Sequence, residues 1–205
     1  MSFYRFARGL VSCALHTLFR IQVEGKENVP QNEALVICAN HTSLLDPPML
    51  GLCMPLRLRF MAKEELFRNK LFGALIRSLG AFPIRRGKSD VGALRAAMTM
   101  LKEGECVTVF PEGGRSKIKG QMRRGKPGAA LIAAKAGVNI LPVGIAGNYR
   151  LFSKITIRIG KPISLEPYFD RKLETEELQA VTDEKVMPAI AELAEVKTYE
   201  SRNCG

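Results

Sequence analysis

The chain has 205 residues, with 31 Lys and Arg against 20 Asp and Glu, a net charge of +11, and 46% apolar residues. That much apolar side chain excludes disorder over most of the length, and a chain of this size buries enough surface to hold one core without disulfides. The basic excess points to an anionic partner, whether nucleic acid, anionic lipid or a phosphorylated metabolite.

Cys13, Cys38, Cys53, Cys106 and Cys204 show neither a paired framework nor a zinc spacing, which fits a reducing, cytoplasmic setting. The only histidines, His16 and His41, are too few for a His-rich metal site. No apolar run reaches the roughly 18 residues of a spanning helix. The first twenty residues lack the charged-then-apolar order of a secretory leader.

Residues 1–22 read instead as an amphipathic segment, helical from Ser2 to Arg20, ahead of a single domain over 23–205. On a helical wheel Phe3, Phe6, Ala7, Leu10, Val11, Ala14 and Leu18 share one broad face. Arg5, Arg8, Ser12, His16 and Arg20 share the other, and no acid is present. Such a helix is expected to lie flat on an anionic membrane; the competing reading packs it on the domain's own core.

The elements then alternate. Residues 34–39 (ALVICA) form a continuous apolar run, as in a buried strand. Residues 47–52 begin a helix that Asp46 can cap, with Pro47 in its first turn. A half-buried strand over 56–61 precedes helical spacing over 64–79. A short strand at 81–84 leads to a helix from Val91 to Leu101, closed by Gly104. Residues 106–110 (CVTVF) read as a buried strand, 129–136 as a helix stopped by Gly137, and 140–145 and 155–159 as strands. Pro142 is expected to put the first of these two at an edge or a bend. A last amphipathic helix covers 175–196, with a break at Pro188. The alternation implies an α/β domain with a mixed central sheet covered by helices on both faces. Charge is uneven: residues 57–88 and 113–135 are each net +7, whereas 164–205 are net −5.

Three resemblances fail on inspection. Gly87-Lys88-Ser89 looks like the end of a phosphate-binding P-loop, but Phe82 stands where that loop needs glycine. Neither G-x-S-x-G nor G-x-G-x-x-G occurs. Phe67, Phe72 and Phe82, within a basic block, fit helix and strand packing better than base stacking, and nucleic acid is not an expected partner.

Four segments carry chemistry. Asn40-His41-Thr42-Ser43-Leu44-Leu45-Asp46-Pro47 lies between a buried strand and a helix. A turn there lets Asp46 bond one imidazole nitrogen of His41 and leave the other basic. The pair is then the base and orienter of a triad without its nucleophile, suited to activating a substrate hydroxyl. Phe110-Pro111-Glu112-Gly113-Gly114-Arg115-Ser116 follows another buried strand. Its paired glycines admit a ligand close to the backbone, Arg115 offers a planar fork for phosphate, and Ser116 adds a donor. Gly80-Ala81-Phe82-Pro83-Ile84-Arg85-Arg86-Gly87 and Ile140-Leu141-Pro142-Val143-Gly144 complete the set. Read singly, each also suits a plain turn, cap or strand.

In this order and spacing the four segments resemble the blocks of the glycerophospholipid acyltransferase family, in particular its bacterial 1-acyl-glycerol-3-phosphate acyltransferases, over roughly residues 20–165. One departure is Gly114, where many members carry Thr; it is expected to loosen the turn. The resemblance implies acyl transfer from a thioester, on coenzyme A or acyl carrier protein, to the sn-2 hydroxyl of a lysophosphatidic acid, at the cytoplasmic face of an anionic membrane. It implies His41 as general base oriented by Asp46. It places Arg86, Glu112, Gly113, Arg115 and Ser116 at the lysolipid, and requires no metal or bound cofactor.

Overall fold

A computed structural model describes residues 2–84 and 91–199. Helix α1 (Ser2–Leu18) leads into strand β1 (Arg20–Glu24). Strand β2 (Leu35–Ala39) is followed by α2 (Asp46–Cys53), β3 (Leu58–Lys63), α3 (Lys70–Ser78) and β4 (Ala81–Ile84). Helix α4 (Val91–Lys102), β5 (Cys106–Val109), α5 (Gly128–Ala136), β6 (Asn139–Gly147) and β7 (Lys154–Ile159) come next. Helices α6 (Thr175–Val181) and α7 (Met187–Ala194) close the described chain.

The seven strands form one mixed sheet in the order β1-β7-β6-β2-β5-β3-β4. Its ladders are parallel except for the antiparallel β6–β7 pair. Both faces are covered, as expected. Alternate residues of β2 divide between two cores. Val36 and Cys38 join Ala97 and Leu101 of α4, Ala130 and Ala133 of α5 and Ile190 of α7. Leu35, Ile37 and Ala39 join Leu15 of α1 and Met49, Leu50 and Cys53 of α2. All five β2 residues are buried, which is why the strand reads as unbroken apolar sequence.

Four expectations need correction. Arg-Ile-Gln-Val-Glu, which overlaps the end of the amphipathic segment 1–22, is an edge strand, half polar, and one residue separates it from α1. Residues 64–79 are not one helix. A 3₁₀ turn spans Glu64–Phe67, and α3 restarts where the Asn69 side chain accepts the Phe72 N–H, a local cap that competes with continuation. Pro142 lies in an interior strand. The β7 ladder ends at the Val143–Ile159 pair and the next pairing on that side is the Ile140–Ile163 bridge, so the proline falls in a gap of the ladder. At Pro188 the helix does not break. A wide π turn over Thr182–Val186 precedes it, and the proline occupies the first turn of α7, where its missing N–H costs little.

Helix α1 packs on the domain through Val11 and Leu15, and Phe19 follows into the same core. Arg8 donates to the Leu52 carbonyl at 3.2 Å. The packed side takes in only the Val11 edge of the wheel's apolar face, and Leu10 and Leu18 on that face remain exposed. The side chains of Phe3 and Phe6 lie outside those described. Among the described residues, no helix is long and apolar enough to cross a membrane.

Candidate active site

The carboxyl ends of β2 and β5 adjoin at the centre of the sheet. From β2 the chain crosses to β3 on one side; from β5 it crosses to β6 on the other. Such a reversal opens a crevice where α/β sheets bind ligands. His41 stands two residues past β2 and Glu112 three past β5, so two of the four segments meet there.

Asp46 is fully buried and surrounded by donors. Its Oδ2 accepts the Thr42 N–H at 2.7 Å, the Ser43 N–H at 2.7 Å and His41 Nδ1 at 2.8 Å. Its Oδ1 accepts the Tyr149 hydroxyl at 2.6 Å. Two of these donors are backbone N–H groups, which have no other role to take, so the oxygen facing His41 is an acceptor. His41 Nδ1 therefore carries the proton, and in the neutral ring Nε2 keeps its lone pair. Asp46 opens α2 without capping it: none of its bonds goes to an N–H of that helix.

His41 is fixed on every side. Its ring stacks on Phe110 with centroids 4.1 Å apart. Its backbone N–H donates to Glu112 Oε1 at 2.8 Å, and its carbonyl accepts the Ser116 N–H at 2.8 Å. The side chain retains 10% exposure. Asn40, also buried, exchanges two hydrogen bonds with the backbone of Ile145, at 2.9 and 2.7 Å, and so ties the end of β2 to β6.

Glu112 is 1% exposed and has both oxygens engaged, Oε2 accepting the Arg123 N–H at 2.8 Å. Burial pushes its carboxyl above the ordinary value, opposed by the hydrogen bonds from the Arg123 and His41 N–H groups. The same kind of burial, with the charge of Asp46 beside it, pushes the Tyr149 hydroxyl up, so it remains a donor.

Ser116 places its hydroxyl on the Gln121 carbonyl at 2.6 Å and shapes the loop over 116–121. Gly113 turns with φ 65°. At Gly114 a Cβ would lie 2.8 Å from Arg123 Nη1, so the missing side chain leaves room for that guanidinium. Arg115, Lys117, Lys119 and Arg123 are exposed along this loop. A cleft of about 620 Å³ runs between the loop and the β6–β7 turn, lined by Thr42, Ser43, Ser116, Lys119, Tyr149 and Arg150 among others. Arg86 lies outside the described residues. Among the described residues, no group of three or more His, Cys, Asp or Glu side chains is placed to hold a metal.

Residues 20–146 match the family model described as Acyltransferase. The chain belongs to the acyltransferase family. This acyltransferase is 30% identical to the 1-acyl-sn-glycerol-3-phosphate acyltransferase of Bacillus subtilis (strain 168) over 186 residues, 88% of this chain and 92% of that one. It is 32% identical to the protein of the same name from Streptococcus pneumoniae (strain ATCC BAA-255 / R6) over 192 residues, 88% of this chain and 69% of that one. Its fold matches the crystal structure of the 1-acyl-sn-glycerophosphate acyltransferase PlsC from Thermotoga maritima, with a TM-score of 0.71 and 30% identity, covering 93% of this chain and 79% of that one.

Two residues of the acyltransferase site escaped the sequence reading. Tyr149 lies 103 positions from Asp46, and a lone tyrosine after a strand carries no local signal. Asn40 was noted only as the neighbour of His41. Its pairing with a backbone 105 residues away is a product of the β2–β6 register.

Proposed function

We propose that this acyltransferase moves a fatty acyl group from acyl-coenzyme A or acyl-acyl carrier protein to the sn-2 hydroxyl of 1-acyl-glycerol-3-phosphate, giving phosphatidic acid. The observation that carries the reading is the buried His41–Asp46 pair at the sheet's crevice, its carboxylate saturated by four donors. His41 Nε2 takes the proton of the lysolipid hydroxyl as its oxygen attacks the thioester carbonyl carbon. The tetrahedral adduct collapses, the C–S bond breaks, and the proton passes from His41 to the departing thiolate. Asp46 keeps the tautomer and offsets the imidazolium charge that forms between these steps. A thioester is a good enough electrophile that positioning and base catalysis suffice without an acyl-enzyme.

Arg115, exposed at the loop beside the cleft, and Arg86 bind the lysolipid phosphate, with Gly113 and Ser116 shaping the loop against it. Glu112, which lines the cleft, holds the backbone of His41 and of Arg123 through its two oxygens and so stands beside the lysolipid. The exposed Leu10 and Leu18 on α1, with no acid before Glu24, suit a peripheral position on the anionic cytoplasmic face of a membrane. The test is product identification by mass spectrometry after incubation in detergent micelles with oleoyl-coenzyme A and a panel of acceptors. Phosphatidic acid from lysophosphatidic acid, with glycerol 3-phosphate and other lysophospholipids left unacylated, is the expected result. Preferential acylation of another acceptor overturns the substrate assignment.

A further inference from the structure

The turn between β6 and β7 exposes two large apolar side chains next to each other, Leu151 at 62% and Phe152 at 63%. Phe152 also adopts φ 60°, a conformation that bulky side chains rarely take and that Asn or Gly would take more readily. The turn is nevertheless firmly held. The Phe152 N–H donates to the Leu18 carbonyl at 2.7 Å, the Arg20 N–H to the Ser153 carbonyl at 2.9 Å, and the Ser153 N–H to the Arg150 carbonyl at 3.0 Å. The tip is therefore clamped to the end of α1, whose outer side exposes Leu10, Ala14 and Leu18.

The surroundings are basic. Arg20, Arg150 and Lys154 are exposed around the tip, and residues 139–160 contain no acid. An apolar tip with Arg20, Arg150 and Lys154 at its rim complements one partner in particular, a bilayer carrying anionic headgroups. We propose that Leu151 and Phe152 enter the acyl boundary of such a bilayer beside the outer side of α1, with Arg20, Arg150 and Lys154 at the lipid phosphates. The inference rests on the membrane association proposed above and adds a second anchor to it. Tyr149, two residues from this tip, holds Asp46, so the contact with lipid is built into the segment that supports the catalytic pair.

The chain contains no tryptophan, so a Phe152→Trp variant of the full chain has one fluorophore at the tip. Vesicles of phosphatidylglycerol and phosphatidylcholine, with and without brominated acyl chains, are the probe. The expected result is co-sedimentation with the anionic vesicles, a blue-shifted emission on binding, and at least twofold quenching by the brominated lipid. The double variant Leu151→Ser, Phe152→Asn should bind the same vesicles roughly tenfold or more weakly, the loss of two buried apolar side chains, with an unchanged or higher melting temperature. Co-sedimentation with unshifted, unquenched emission overturns the tip while leaving membrane association intact. Absence of co-sedimentation overturns both. A blue shift that grows with protein concentration in lipid-free buffer overturns the proposal in favour of contact between two copies. If Phe152→Trp does not fold, Leu151→Trp carries the same measurement.

Discussion

Replacing Asp46 by Asn tests the arrangement around His41 with little change in shape. The amide oxygen can occupy the Oδ2 position and keep the Thr42, Ser43 and His41 donors, while the amide NH₂ occupies the Oδ1 position and meets Tyr149. A tyrosine hydroxyl both donates and accepts, so it can turn to receive that NH₂. All four contacts survive, and the fold should lose no more than about 2 kcal/mol, because neutral hydrogen bonds replace charge-assisted ones. Catalysis should suffer more. The negative charge 2.8 Å from His41 Nδ1 is gone when the imidazolium forms. A charge-assisted hydrogen bond is worth about 1.5–3 kcal/mol, and about 1.4 kcal/mol is a factor of ten, so kcat should fall roughly 10- to 150-fold. Thiol release from acyl-coenzyme A, followed with a chromogenic disulfide, measures the rate; circular dichroism melting measures the fold. A well-folded variant within about threefold of the parent rate would refute the role given to the Asp46 charge. A collapse of the fold would refute the rearrangement of donors.

Three further outcomes follow from the same geometry. Tyr149→Phe removes one donor from the buried carboxylate and should cost about 1.5–3 kcal/mol of stability, read by urea unfolding, with a lower kcat and an unchanged KM; a shift confined to KM would make Tyr149 a substrate contact instead. For Glu112, burial raises the folded-state value, so folding favours its protonated form; that contribution is complete below the ordinary carboxylate value and disappears as pH rises through the raised one. The stability of the parent minus that of Glu112→Gln should therefore decrease as pH rises through this window, and a difference independent of pH would contradict the burial argument. Gly144→Ala should destabilise by about 2 kcal/mol or more, since its Cβ would lie 2.2 Å from the Leu193 carbonyl carbon and force α7 off β6; a melting temperature within 2 °C or so of the parent would show that α7 shifts at little cost.

What the sequence reveals about this fold follows from how local each signal is. Strands β2 and β5 are buried on both faces and read directly as apolar runs, and α5 ends where Gly137, at φ 69°, stops it. Edge strand β1 alternates Ile21 and Val23 with polar residues and follows α1 after one residue, too short a pattern to stand apart from the helix before it. Splitting of the segment over 64–79 depends on one side-chain cap at Asn69, which competes with an unbroken run of helical spacing. The His41–Asp46 pair is legible because the two partners stand only five positions apart across one turn. The Glu112 contacts are not: the resemblance places it at the lysolipid, and only the adjacency of β2 and β5 brings it to the His41 backbone. Tyr149 is still further from view, since four strand connections, from β2 to β6, and the turn after β6 bring it to Asp46.

His41 is the base that activates the acceptor hydroxyl, and single-turnover acyl transfer is the test of that role. Enzyme in excess over oleoyl-lysophosphatidic acid in micelles would receive acyl-coenzyme A or acyl-acyl carrier protein, alongside a His41→Ala variant shown by circular dichroism to be folded. Phosphatidic acid should form from the parent with at least one donor, and none above background from the variant. A folded variant that forms product near the parent rate would contradict it.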